Sequence, residues 1–128
     1  LAAKGREWSL LRNRLSALTS ANGGFGFANG VEWLADEQIN VHSARGLNWG
    51  AEDNIVLELA QLNRLLNQHP CFRDGAQLEC LSGPDSKLYH LRRTSADGET
   101  EVRVIANLDA DEGQAMGDTL VGWVDLLS

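Results

Sequence analysis

The sequence predicts a mixed α/β chain that passes into antiparallel β-structure: two helices with one strand between them, then several short strands. Three observations predict it. Leucines recur at helical spacing in two places, residues 6–19 and 54–67. The segment between them, residues 25–34, is aromatic, β-branched and glycine-bearing. After Gly75 the pattern changes to short alternating runs separated by turn residues.

The first helix is expected over residues 6–19. Trp8, Leu11, Leu15 and Leu18 form its apolar stripe, with Arg12 and Arg14 off it. The run Ser20-Ala-Asn-Gly-Gly24 ends it, Asn and Gly being usual C-terminal signals. Residues 25–34 read as a strand, with Gly26 and Gly30 marking a bulge or a close backbone approach. Its apolar character suits a parallel sheet buried on both faces. Residues 35–50 are polar and aperiodic, a long loop of the kind that carries function.

The second helix is expected over residues 54–67. Glu52 and Asp53 place acid at its start, which suits the macrodipole. Ile55, Leu59, Leu62 and Leu66 line its core face, and Pro70 and Gly75 stop it. Strands follow at residues 77–81, 87–92 and 101–107, with Gly83-Pro84-Asp85 as a turn and Ser95-Ala-Asp-Gly98 as a hairpin turn of the Asp-Gly type. Residues 109–118 form an acidic loop, and residues 120–127 a last strand or strand-turn.

Composition narrows the function classes. The chain has 128 residues and a net charge of −7. That balance argues against a nucleic-acid surface, which needs clustered Lys and Arg. The acid is concentrated in residues 51–128, with fourteen acidic and six basic side chains, against four and five in residues 1–50. Solubility is its simplest role. No apolar run is long enough to span a membrane, and no secretory signal is visible. The chain opens on Leu1 rather than Met, which points to a piece of something longer. Two cysteines, Cys71 and Cys80, are too few for a disulfide scaffold and read as reduced, partly buried residues of a cytoplasmic protein.

The order of elements resembles the end of an α-amylase-superfamily enzyme: last barrel strand, its loop, last helix, then the start of the β-domain behind the barrel. Residues 8–19 look like the seventh barrel helix. Gly30-Val31-Glu32 fits the usual end of the eighth strand. Leu62-Asn-Arg-Leu-Leu-Asn-Gln-His-Pro70 resembles the eighth helix, and Arg73-Asp-Gly75 the turn after it. Ile105-Ala-Asn-Leu108 resembles a strand of the C-terminal domain. Within the superfamily, Trp123-Val-Asp-Leu-Leu-Ser128 and Asn48-Trp49 are similar to segments of the maltose 1-phosphate-dependent α-1,4-glucan maltosyltransferases. Where those enzymes carry a Lys and a Tyr for the sugar phosphate, this chain has Gln38 and Ile39, so the resemblance extends to α-glucan chemistry rather than to phosphate binding.

The resemblance implies the last helix-strand-helix portion of a (β/α)8 barrel in residues 1–74, joined to a partial antiparallel β-sandwich domain in residues 75–128. It implies glycoside hydrolysis or glucosyl/maltosyl transfer on α-1,4-glucans or maltooligosaccharides by a longer enzyme. The catalytic carboxylates of that family lie on earlier strands, so no catalytic residue is assigned here and this chain alone should be inactive. The other reading is a free-standing non-catalytic module that binds carbohydrate or protein. The rest of the barrel, or a second copy, would cover the exposed strand.

The candidate substrate-binding residues are Trp49, Trp33, Glu32 and His42. Indole faces stack on sugar rings and ring nitrogens bond hydroxyls, although Trp is as commonly a core anchor. Glu32 sits at the C-terminal end of the expected strand, the face where barrel sites form. A structural acid satisfied by neighbouring backbone or Arg is the competing reading. Arg45 could contact a glucan but reads more simply as solvated. Residues 23–30 lack the order of a phosphate loop. The three histidines and two cysteines lack metal-ligand spacing, so neither metal nor cofactor is expected.

Overall fold

A computed structural model describes residues 2–37, 42–43, 46–109, 111–116 and 120–128. It contains two α-helices, α1 (Arg6–Leu18) and α2 (Val56–Gln68), and three strands, β1 (Gln77–Cys80), β2 (Leu88–Thr94) and β3 (Glu101–Asn107). The strands form one antiparallel sheet in the order β1-β2-β3. The chain is thus a mixed α/β domain with its helices first and its sheet last. Among the described residues, no helix is long and apolar enough to cross a membrane.

Both helices form where their periodicity places them. In α2 the expected stripe is the buried one: Ile55, Leu59, Leu62 and Leu66 all turn inward. The helix starts later than its acidic residues. Ile55 is the N-cap residue, and Asn54 just before it turns the chain in, its side-chain oxygen accepting from the Val56 N–H at 3.2 Å. Arg6 holds that entry from α1. Its guanidinium donates to the Asn54 carbonyl at 3.1 Å, pairs with Glu58 and lies 3.6 Å from Asp53. The helix ends at His69, whose N–H still reaches the Leu65 carbonyl at 2.9 Å. Pro70 then removes the next donor. The His69 ring accepts from the Cys71 N–H at 3.3 Å and caps the 3-10 turn Pro70–Phe72. That bond puts the ring proton on Nε2.

In α1 the buried face is rotated from the expected stripe. Ser9, Leu10, Asn13, Ala17 and Leu18 are inside, while Trp8, Leu11 and Leu15 are half-buried. Ser9, Asn13 and Ala17 are short side chains four residues apart, and a row of short side chains lets a helix approach its neighbours closely. The interior Asn is satisfied locally, donating to the Ser9 carbonyl at 2.8 Å. Trp8 instead lies under cations, with Lys4 at 4.8 Å and Arg12 at 5.7 Å from its ring.

The strand expected at residues 25–34 is absent, and residues 120–127, expected as a strand or strand-turn, hold a turn but no strand. Residues 24–28 have no regular structure and 29–34 are turn. A parallel strand needs hydrogen-bonding neighbours, and none of the described strands runs beside this segment. Its bonds close locally instead: Val31 to Ala28, Trp33 and Ala35 to Gly30, and Leu34 to Val31. The segment still anchors itself, since Phe25, Val31 and Leu34 pack against the core. Residues 120–127 are likewise turn and irregular, because their backbone pairs with no strand. The described residues therefore hold neither a barrel strand nor a sandwich.

In the sheet, β2 and β3 pair from Leu88 with Asn107 to Thr94 with Glu101. Their connection is six residues rather than a two-residue Asp-Gly turn. Ser95 N–H bonds the Thr100 carbonyl at 2.9 Å, and Asp97 accepts from Ser95 Oγ at 2.6 Å and from the Glu99 N–H at 3.0 Å. The Ser95 hydroxyl, with the Glu99 N–H, holds the Asp97 carboxyl below its ordinary range.

One cluster of buried side chains joins α1, α2, the Pro70–Phe72 turn, β2 and β3. It includes residues on both sides of positions 74 and 75. Each fully buried Leu, Ile or Phe in it is worth about 1.5–3 kcal/mol. Arg93 binds the pieces together. It is fully buried, and its guanidinium donates to the carbonyls of Cys71 (2.9 Å), Leu18 (2.9 Å), Ser20 (2.7 Å) and Ala21 (3.4 Å). Its plane lies 4.3 Å from the Phe72 ring centre. The cation thus sits at the negative end of α1, taking up carbonyls that the helix leaves unbonded. Cys71 is buried beside it and Cys80 is exposed; both are free thiols. The expectation of partial burial fails for Cys80 because β1 is a short edge strand, exposed along its whole length.

Candidate functional site

The candidate site is built by two turns that meet between the helices. The first is residues 29–34. Gly30 turns the chain at φ +95°, and Glu32 braces the turn, its carboxylate accepting from the Gly30 N–H at 2.9 Å. The Glu32 carbonyl accepts from the Ile55 N–H at 2.9 Å, tying this turn to the entry of α2. The second turn is residues 46–49, closed by Trp49 N–H to the Gly46 carbonyl at 2.9 Å. The turns pack so closely that a Cβ on Gly30 would lie 2.9 Å from that of Leu47.

The turns bring Trp33 and Trp49 together. Their rings are 5.1 Å apart and tilted by 47°. The Asn48 amide donates to the Trp33 carbonyl at 2.8 Å and locks one turn against the other. Trp49 is 79% exposed, while Trp33 is half-buried beneath it. The Trp33 indole N–H is buried and lacks a hydrogen-bond partner among the described residues.

The backbone here is strained. Leu34 (φ +54°), Leu47 (+46°) and Asn48 (+60°) are the non-glycine residues with left-handed backbone among those described. All three lie in or beside these two turns. For leucine that region is costly, and such strain clusters at ligand-contacting sites.

Of the four expected contact residues, the structure unites three. Trp33 and Trp49 form the aromatic face. Glu32 lies at its base, but its carboxylate is turned to its own backbone, so it positions the turn rather than facing solvent chemistry. His42 lies in a separate exposed turn. Gln38, Ile39 and Arg45 lie outside the described residues. Among the described residues there is no group of three His, Cys, Asp or Glu able to hold a metal.

Two residues that matter escaped the sequence reading. Asn48 was legible only as part of a dipeptide, yet its amide sets the geometry of the tryptophan pair. Arg93 carried a usable signal. Arg92 and Arg93 are adjacent in a strand, where successive side chains point to opposite faces, so one of the two must meet the core.

The patch presents one exposed indole packed on a half-buried one, with the Glu32 carboxylate at its base turned to the Gly30 N–H. An exposed indole face of this kind can stack on a flat ring. No protein-family model, curated protein or solved structure matches this chain.

Proposed function

We propose that this chain is a C-terminal part of a cytoplasmic α-amylase-superfamily enzyme that acts on α-1,4-glucans, by hydrolysis or by glucosyl or maltosyl transfer. The catalytic carboxylates belong to another part of that enzyme. This part supports the catalytic unit and lends it one aromatic contact for a glucan ring.

The observation that supports this reading is the meeting of Trp33 and Trp49. They are sixteen positions apart in sequence, and a strained pair of turns holds them together with one ring open to solvent. The order of α1, α2 and the following antiparallel sheet agrees with the order in which the resemblance expects those three pieces. The resemblance also expects a barrel strand at residues 25–34, where the chain is irregular and turn, so that element lends the reading no support.

A second reading, a free-standing carbohydrate-binding module, draws on a different observation. One core joins the helices to the sheet, as in a domain that folds alone.

The coding sequence upstream of Leu1 separates the two. The enzyme reading expects barrel strands bearing an Asp, a Glu and a His-Asp pair. A start codon close upstream, without them, would overturn it. Titration of the 128-residue chain with maltoheptaose, followed by tryptophan fluorescence, gives an independent check. The enzyme reading expects no saturable change from the chain alone. A saturable change that Trp49→Ala removes supports the module.

A further inference from the structure

β3 is an edge strand, and its free edge can be assigned residue by residue. Two bonds flank the β2–β3 ladder, Leu108 N–H to the Lys87 carbonyl at 2.7 Å and Ser95 N–H to the Thr100 carbonyl at 2.9 Å. In an antiparallel ladder bonded pairs alternate with unbonded ones. Val102, Val104 and Ala106 therefore bond inward to β2, and Glu101, Arg103, Ile105 and Asn107 point their backbone N–H and C=O groups outward. None of these outward groups is bonded to another described residue.

Residues 120–128 lie over this edge without pairing with it. Trp123 stacks near Arg103, 5.8 Å from its guanidinium, on one side of the sheet. Leu127 packs against the core on the other. The tail thus straddles the edge, leaving a groove of about 640 Å³ against β3. Its hold is light. The Gln61 side chain reaches the Leu126 carbonyl at 3.4 Å, and Val121 and Val124 stay 86% and 79% exposed. Covering an unpaired edge is a common protection against strand addition.

The edge is self-complementary. Two β3 strands set antiparallel about a two-fold axis at Val104 would place Arg103 opposite Ile105 of the other copy, and Glu101 opposite Asn107. Every outward-facing residue then meets an outward-facing partner, so all seven residues pair. No like charges stand directly opposite, and each Arg103 keeps its own Glu101 as counter-ion. A register centred on Arg103 would oppose two guanidiniums, which disfavours it.

We infer that the outer edge of β3 is a strand-addition surface for β3 of a second copy of this chain, and that residues 120–128 are the guard that keeps it unpaired. The inference is independent of the glucan reading. The test is sedimentation equilibrium of the full chain with Trp123→Ser and Leu127→Ser, which free the tail. The wild type should keep the 14.0 kDa mass of one chain, and the variant should approach twice that mass as concentration rises. Ile105→Pro added to the variant should restore the monomer mass with the far-UV spectrum unchanged, because it removes only an outward N–H. A freed-tail variant that stays monomeric overturns the inference. So does a dimer that survives Ile105→Pro, or a wild type that is already dimeric. If circular dichroism shows the double variant unfolded, Trp123→Ser alone decides by the same reading, since it leaves Leu127 in the core.

Discussion

The helix-and-sheet core and the tryptophan turns lie next to each other and are held in opposite ways. The core has many redundant contacts: leucines from α2, valines from β3 and the Arg93 guanidinium fix the same arrangement several times over. The turns rest on a few bonds, chiefly Asn48 to Trp33, Glu32 to Gly30 and Ile55 to Glu32. They also carry the left-handed residues. Redundancy stabilises and leaves no room for a ligand. The turns keep an indole in water at the expense of strain, which the adjoining core can tolerate. Stability and binding are therefore expected to respond to different residues.

The largest expected effect is on the core. Arg93→Met keeps the bulk but leaves the carbonyls of Leu18, Ser20 and Cys71 without their donor. The loss should be about 3–5 kcal/mol, measured by urea unfolding. Arg93→Lys should recover only part of it, because one ammonium cannot span carbonyls arranged for a planar fork.

Two glycines divide the regions next. A Cβ on Gly23 would lie 2.4 Å from the Phe72 carbonyl oxygen, at φ +74°, so Gly23→Ala should cost about 1–3 kcal/mol. Gly30→Ala meets the side chains of Leu47 and Ala35 instead. It should cost less stability and push the turns apart, lowering the near-UV circular dichroism of the tryptophans. If Gly30→Ala left that signal intact, the turns would not be coupled as described.

A smaller effect belongs to pH. Burial pushes the His69 ring below the ordinary imidazole range, and Nδ1 must stay unprotonated to accept from Cys71. The unfolded chain then binds the proton more readily than the folded one, so stability should fall as pH drops through about 6.5 toward the lowered value. Below that value the contribution is gone. His69→Asn should flatten this slope in a series of thermal melts.

Much of this division was legible in the residues. The spacing of Ile55, Leu59, Leu62 and Leu66 marks α2 and its buried face, and alternation with Gly-Pro and Asp-Gly turns marks the three strands. The failures share a cause. Residues 25–34 and 120–127 have strand composition, but a strand exists only beside another, and composition cannot supply the neighbour. The rotation of α1 has a related origin: Ser9 and Asn13 go inside because they are short, which an apolar pattern cannot register. For the candidate site, tryptophan identities were readable. Their meeting was not, since it depends on left-handed turns at Leu47 and Asn48.

Under the proposed function, Trp49 contacts the glucan and is dispensable to the fold. It is tested by Trp49→Ala in the longer enzyme that the proposed function assigns to this chain, scored for both stability and KM toward maltoheptaose. The account predicts a stability change within about 0.5 kcal/mol and a rise in KM of several-fold to about tenfold, as for the loss of one aromatic contact. An unchanged KM in a folded variant would contradict it, as would a large loss of stability.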